Sequence, residues 1–323
     1  MQSLRVCRHL PLIRPSLRRS WSAAAGAVCR HRVPVCQGGA MFLKLDQVKT
    51  AHVEVTSAWI DHCEVEHSSE CPVIIRVDEQ SGCFEVFPDS SKPLCDTYAI
   101  KISVPEYFDS TFSLNHAQLD ICKKIKGNMH IQCQSGSINV EKVKGSNITF
   151  DCNNADIQIS NVIEGDVQIS ARNLSAAMIN GHNVNVKCTK DIFAKAIYGE
   201  HTCIDCGGDV TVDLARGKMK IVSDGSTTMS NIDGSVEADS QFGDITLQIN
   251  KLYQSSASFA QAPQGSVHVL VDPELPLHLV GRREGAEEDL KDSFDDENRM
   301  LSVKSDSFHG FIKSDLECSG YFS

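Results

Sequence analysis

Gly181-His-Asn-Val-Asn-Val186, Gly217-Lys-Met-Lys-Ile221 and Gly234-Ser-Val-Glu-Ala238, with Gly199 between the first two, decide the fold. Each glycine opens a short strand of alternating polar and apolar residues. Extending the series toward the N-terminus adds Gly127, Gly145 and Gly165, and the successive intervals are 18, 20, 16, 18, 18 and 17 residues. A second series starts half a period later, with Ser137-Ile-Asn-Val140, Ala155-Asp-Ile-Gln-Ile159, Gly208-Asp-Val-Thr-Val212 and Gly243-Asp-Ile-Thr-Leu-Gln-Ile249. A fixed period of this length marks a stacked repeat. Alternate side chains of each strand point inward. One turn cannot bury its own apolar side, but turns stacked at roughly 4.8 Å share a continuous core. A β-sandwich would also show short strands and turn signals, but not a glycine recurring at this period. The spacing predicts an all-β, single-stranded β-solenoid of about 18 residues per turn.

Composition fits a narrow interior. Hydrophobic residues make up 41% of the 323, aromatics only 6%, so small and β-branched side chains must fill the core. No apolar run is long enough for a transmembrane helix, and no integral membrane segment is expected. Outward from the repeat, residues 41–100 read as an N-terminal β cap, because an open solenoid end would pair with other chains. A second copy of the protein, meeting the first end to end, is the self-association this predicts. Residues 101–323 read as the solenoid, interrupted at 281–300 by an insertion with eight carboxylates and four basic residues. Such a composition suits an exposed segment.

Residues 1–40 carry seven arginines and no acidic residue. Serines and leucines are interspersed, as in a mitochondrial transit peptide, and Arg19-Ser-Trp-Ser22 resembles a processing site with a cut after Trp21. The reading is a transit peptide or disordered leader, with matrix residence. A secretory signal needs an apolar run that Trp21–Val28 does not supply. Without those seven charges the net charge falls from −11 to −18. That excess opposes binding to nucleic acid.

On the repeat, Cys133, Cys152, Cys188 and Cys206 fall at one position, with Ala171 in the intervening turn. The pattern predicts a buried ladder of small apolar side chains. Cys203-Ile-Asp-Cys206 is a lone CxxC. With His201 it forms the nearest approach to a metal set, but a structural zinc site needs a fourth ligand, and no metal is expected. His62, Glu64 and Glu66 share one face of a predicted strand, with Cys63 and His67 on the other. Asn147-Ile-Thr149 and Asn173-Leu-Ser175 are glycosylation tripeptides, relevant only to a secreted chain. Catalysis has no recognisable constellation: no nucleophile elbow, phosphate loop, HExxH or dinucleotide fingerprint occurs. No cofactor and no enzymatic activity are expected. Asp156, Asp166, Asp209, Asp233 and Asp244 recur, and a carbohydrate-active β-helix would gather such carboxylates on one face. Each sits beside a turn, where aspartate is favoured for local hydrogen bonds.

The run Gly127–Ile249 resembles the putative-adhesin β-solenoid domain. Leu119-Asp-Ile121 followed by Ile125-Lys-Gly127, then Val143-Lys-Gly145, and the closing Gly265-Ser-Val-His-Val-Leu-Val271 are similar, more closely, to the eukaryotic family with sequence similarity 185. The likeness spans about residues 100–281. It implies a β-solenoid and mitochondrial residence, and brings no catalytic residues. The function expected is a non-catalytic scaffold that binds a protein partner. The alternatives are a glycan-acting β-helix enzyme and a secreted adhesin.

Overall fold

The computed structural model describes residues 27–35, 38–78, 81–251, 257–271, 278–282 and 300–305. Most of the basic leader and residues 283–299 of the acidic insertion lie outside them. Among the described residues there is no helix, hence none long and apolar enough to cross a membrane. The strands are β1 (Val28–Pro34), β2 (Ala40–Leu45), β3 (Thr50–Ala58), β4 (His62–Ser68), β5 (Val73–Asp78), β6 (Cys83–Pro88), β7 (Thr97–Pro105), β8 (Asp109–Lys126) and β9 (Met129–Cys188). They continue as β10 (Ile192–Ala194), β11 (Ile197–Cys206), β12 (Val210–Val212), β13 (Ala215–Ser223), β14 (Thr227–Ser240), β15 (Ile245–Lys251), β16 (Ala257–Ala262), β17 (Val267–Val271), β18 (His278–Arg282) and β19 (Met300–Ser305).

The predicted coil is present. From residue 109 to residue 249 neighbouring strands are parallel, and residues lie over their equivalents one period earlier except at a few register shifts, such as those at Ile121/Lys124 and Gly199/His201. Gly199 pairs with Gly181 below and Gly217 above, and Gly217 pairs with Gly234. One turn consists of a three-residue strand such as β10 or β12 and a nine- or ten-residue strand such as β11 or β13. Inward positions stack into columns. Val186, Ile204, Ile221, Ala238 and Ala260 form one, each in register with the next, and all are buried. The same column runs on through Ile131 and Phe112 to Leu43 and Val86. From Phe112 to Ala260 the side chains of this column shrink from aromatic to alanine. Burying each large aliphatic side chain contributes about 1.5–3 kcal/mol, and every turn repeats the gain.

Residues 41–100 do more than cap. β2 and β3 stack in parallel on β8, with Ala40 on Asp109 and Val55 on Ile121, so they form a turn of the coil. β6 and β7 then stack on the far side of β2 and β3. In space the order is 83–105, 40–58, 109–126, whereas the chain visits the middle turn first. The covering proper is done by antiparallel strands. β4 pairs with β7 and β1 with β4, while β5 pairs with β6. β1 lies inside the stretch read as leader, and it uses two of the seven arginines. Arg30 is ion-paired to Glu66 at 2.8 Å, and Arg32 lies opposite Glu64. Charges along β1 and Pro34 at its end blunt the edge against further pairing. At the other end the chain steps back again: β19 sits between β16 and β18.

Candidate functional site

Glycine has two separate reasons to recur. In the column 145, 165, 181, 217 and 234, a Cβ on each would collide with the carbonyl oxygen of the glycine one turn earlier. Only Gly165, Gly217 and Gly234 of the seven also have positive φ. The corner thus needs close backbone approach at most turns and left-handed backbone at fewer than expected. The consequence is a surface furrow whose floor is bare backbone. Where Gly181, Gly199 and Gly217 lie in register it widens to about 680 Å³, lined also by Asn180, Tyr198, Glu200, Arg216 and Lys218. Tyr198 stacks between Asn180 and Arg216 to make one wall. The register with β13 slips between Gly199 and His201, leaving Glu200 as the extra residue. A bulge of this kind re-aims its side chain; Glu200 meets His182 at 2.6 Å. Gly199 itself has no room for a side chain because the buried Thr202 hydroxyl fills the space.

The recurring aspartates occupy corner ladders. Asp166 accepts the Asn183 N–H at 3.1 Å, Asp209 the Ser226 N–H at 2.8 Å and Asp244 the Ser266 N–H at 2.8 Å. Asp209 in turn donates its own N–H to Asp191 at 3.0 Å. Asp156 is held by Arg172 Nε at 2.9 Å and by Asn173 Nδ2 at 2.7 Å. Asp233 lies in register with Gly217's neighbour Arg216. Asp166, Asp209 and Asp244 satisfy backbone donors that the corners would otherwise leave unpaired. The Arg172 hydrogen bond, then that of Asn173, holds the Asp156 carboxyl below its ordinary 3.8, against the opposing effect of burial. A depressed folded-state value gives stability that is complete above the unfolded value and lost as pH falls through the folded one. Asp156→Asn should therefore lower the denaturation midpoint at pH 7. The difference from wild type should shrink as pH falls through and below the ordinary carboxylate range, as followed by circular dichroism.

The cysteine ladder forms as expected. Leu114 lies under Cys133, Cys188 is in register with Cys206 and Cys206 with Ser223. The Cys152 thiol reaches the Ile131 carbonyl at 3.7 Å. Thr189, following Cys188, donates to Ala171, which fills the turn between. Beyond Cys206 the column continues as Ser223 and Ser240, whose hydroxyls donate to Gly225 and Gly243 carbonyls at 3.0 and 2.9 Å. Burial pushes the Cys133 and Cys152 thiols up, Cys188 to about 12 and Cys206 to about 11. For Cys188 this is roughly a thousandfold loss of thiolate. Cys203, by contrast, is exposed. Native protein treated with iodoacetamide at pH 8 should be alkylated at Cys203 at least about 100-fold faster than at Cys188, read by peptide mass mapping.

Cys203 and Cys206 point to opposite sides of β11, the first outward with His201 and the second into the core. The two sulfurs of this CxxC cannot turn toward one ion without breaking the strand. No group of three metal-ligating side chains occurs among the described residues. His62, Glu64 and Glu66 do share a face of β4, as alternation predicts. The face is ion-paired: His62 contacts Asp61 at 2.8 Å and Glu64 at 3.0 Å, and Glu66 holds Arg30. On the other face His31 and His67 stack at 5.2 Å with Nε2 atoms 3.0 Å apart. Sequence reasoning missed the furrow, since Tyr198 and Arg216 become neighbours only through stacking.

No family model matches the chain, and no curated protein matches it. Among solved structures it is similar to a putative adhesin from Bacteroides fragilis, at 14% identity over 88% of this chain and 96% of that one, with a TM-score of 0.26. It is similar to a putative lipid binding protein from Parabacteroides distasonis, at 13% identity over 89% and 98%, TM-score 0.33. A putative adhesin from Parabacteroides merdae shows 7% identity over 89% and 96%, TM-score 0.36.

Proposed function

We propose that the chain is a non-catalytic β-solenoid that binds a protein partner in the mitochondrial matrix. The observation that carries this reading is the engagement of the corner aspartates by backbone and side-chain donors. Carboxylates fixed in this way serve as struts, which leaves rigid side-chain ladders and the Tyr198–Arg216 furrow as the features open to a ligand. Stacked repeats present such extended binding faces. The furrow suits an extended segment laid across three turns, with tyrosine and arginine as the anchoring side-chain types. The matrix assignment rests on the arginine-rich, acid-free start. A cut after Trp21 would leave β1 and its Arg30–Glu66 ion pair in the processed protein. The likeness to the family with sequence similarity 185, and to its member A in particular, supports the same compartment. Asn173, the acceptor of one glycosylation tripeptide, already uses its amide in the corner ladder, which argues against a secreted, glycosylated form.

Full-length protein tagged at its C-terminus should be shortened on import and protected from protease inside intact mitochondria. Proximity labelling from the matrix should then recover a partner whose capture falls at least about tenfold with Tyr198→Ala plus Arg216→Glu. Entry into the secretory pathway, or glycan on Asn147 or Asn173, would refute the compartment. Partner capture unchanged by the double variant would refute the furrow as the binding face.

A further inference from the structure

Two thiols at the covered end of the solenoid are interlocked. Cys71 lies in the turn between β4 and β5, and Cys95 in the connection between β6 and β7. The Cys71 thiol donates across to the Thr97 carbonyl at 3.3 Å. The Cys95 thiol donates back to the Glu70 carbonyl at 2.9 Å. Each sulfur therefore sits against the backbone beside the other cysteine, close enough for the two thiols to act on each other electrostatically. Both are free in this structure. Between them lie β5 and β6, which form an antiparallel ladder, and β6 also stacks on β2. The Asp89 N–H to Pro72 carbonyl bond, 3.0 Å, closes its base just inside the cysteines. Tyr98 packs alongside, its phenol raised first by burial and then by the two thiols.

We infer that Cys71 and Cys95 form a reversible redox clip, a site of oxidation by low-molecular-weight disulfides such as glutathione disulfide, which fastens the covering strands over the N-terminal end of the coil. The chemistry balances as two exchanges. Cys95, the more accessible of the pair, attacks glutathione disulfide as its thiolate. A Cys95–glutathione bond forms, the glutathione S–S bond breaks, and one glutathione thiolate leaves. Cys71 then loses its proton and attacks the Cys95 sulfur, expelling the second glutathione thiolate. Two protein thiols have lost two electrons, one glutathione disulfide has gained them, and the two protons reside on the two released glutathiones. Burial, which holds Cys71 at about 12, makes it the resolving partner rather than the first attacker. Closing a long loop constrains the unfolded chain, so the oxidised form should be the more stable one.

The test uses the full native chain in glutathione buffers of graded oxidation, followed by acid trapping, alkylation and peptide mass mapping. The expected product is an intramolecular Cys71–Cys95 disulfide with a mass 2 Da below the dithiol. It should be reversed by reduced glutathione and accompanied by a rise of several degrees in melting temperature. Exposed Cys203 should carry glutathione only as a mixed disulfide. Cys71→Ser should leave glutathione stranded on Cys95, and Cys95→Ser should leave Cys71 reduced. Both variants should lose the thermal shift. A native pair that stays fully alkylatable across the series, or a Cys71–Cys95 bond that appears only in denaturant, would overturn the clip. The result is independent of where the protein resides and of what the furrow binds.

Discussion

Replacing Gly217 by alanine is expected to cost about 3 kcal/mol of stability, the sum of a strained φ and a forced backbone separation. Its φ of +111° is one that alanine rarely adopts. The new methyl would also run into the carbonyl oxygen of Gly199 in the turn before. Neither turn can move away freely, because each is hydrogen-bonded on both sides. Urea unfolding should show a midpoint well below wild type. Amide exchange should lose protection in β11, β13 and β14 together, since a stacked repeat transmits a defect to its nearest neighbours. Lys220→Ala, at an exposed position of the same strand, should stay within about 0.5 kcal/mol of wild type. A Gly217→Ala protein as stable as the Lys220→Ala control would show that the close glycine contact is not needed.

Phe150→Ala should be at least as damaging, by about 4 kcal/mol. Phe150 is completely buried and stands 19 residues beyond Ile131, in the column that runs from Phe112 toward Ala238. Ile148, Cys152 and Ile157 of the same turn are buried around it, and the flanking strands are pinned by their ladders, so the space cannot close. A cavity with an unrelieved lining is the costly kind. The reverse change, Ala238→Phe, tests the taper from the other end. It should destabilise by about 1–3 kcal/mol through overpacking. Thermal and urea unfolding of the two variants decide the matter. A mild effect of both substitutions would mean that the column does not narrow from Phe150 toward Ala238.

Much of this architecture is legible before any coordinates. The glycine intervals from Gly127 to Gly234 announce stacked turns, and the alternation after each glycine states which side chains enter the core. The cysteine positions 133, 152, 188 and 206 follow from the same arithmetic, as does the opposition of Cys203 and Cys206. Short-range rules reach that far because one turn fixes the environment of the next. The role of the recurring aspartates was readable only by type, as turn residues. That Asp166, Asp209 and Asp244 each cap an N–H one turn later depends on the register. Residues 41–100 were harder still. Their strands obey the same alternation as the rest, but nothing local says that 40–58 is sandwiched between 83–105 and 109–126. Nor does composition distinguish Arg30 and Arg32, which pair along β4, from the arginines that precede them.

By itself, then, the sequence determined a periodic coil, its inward columns and the residue types at its corners, because these depend on interactions repeated at one spacing along the chain. Only the tertiary structure decided the order of turns at the two ends, the furrow walled by Tyr198 and Arg216, and the meeting of Cys71 with Cys95. These are contacts between segments far apart in the chain. They are selected by which edges and apolar faces remain to be covered once the regular turns have stacked.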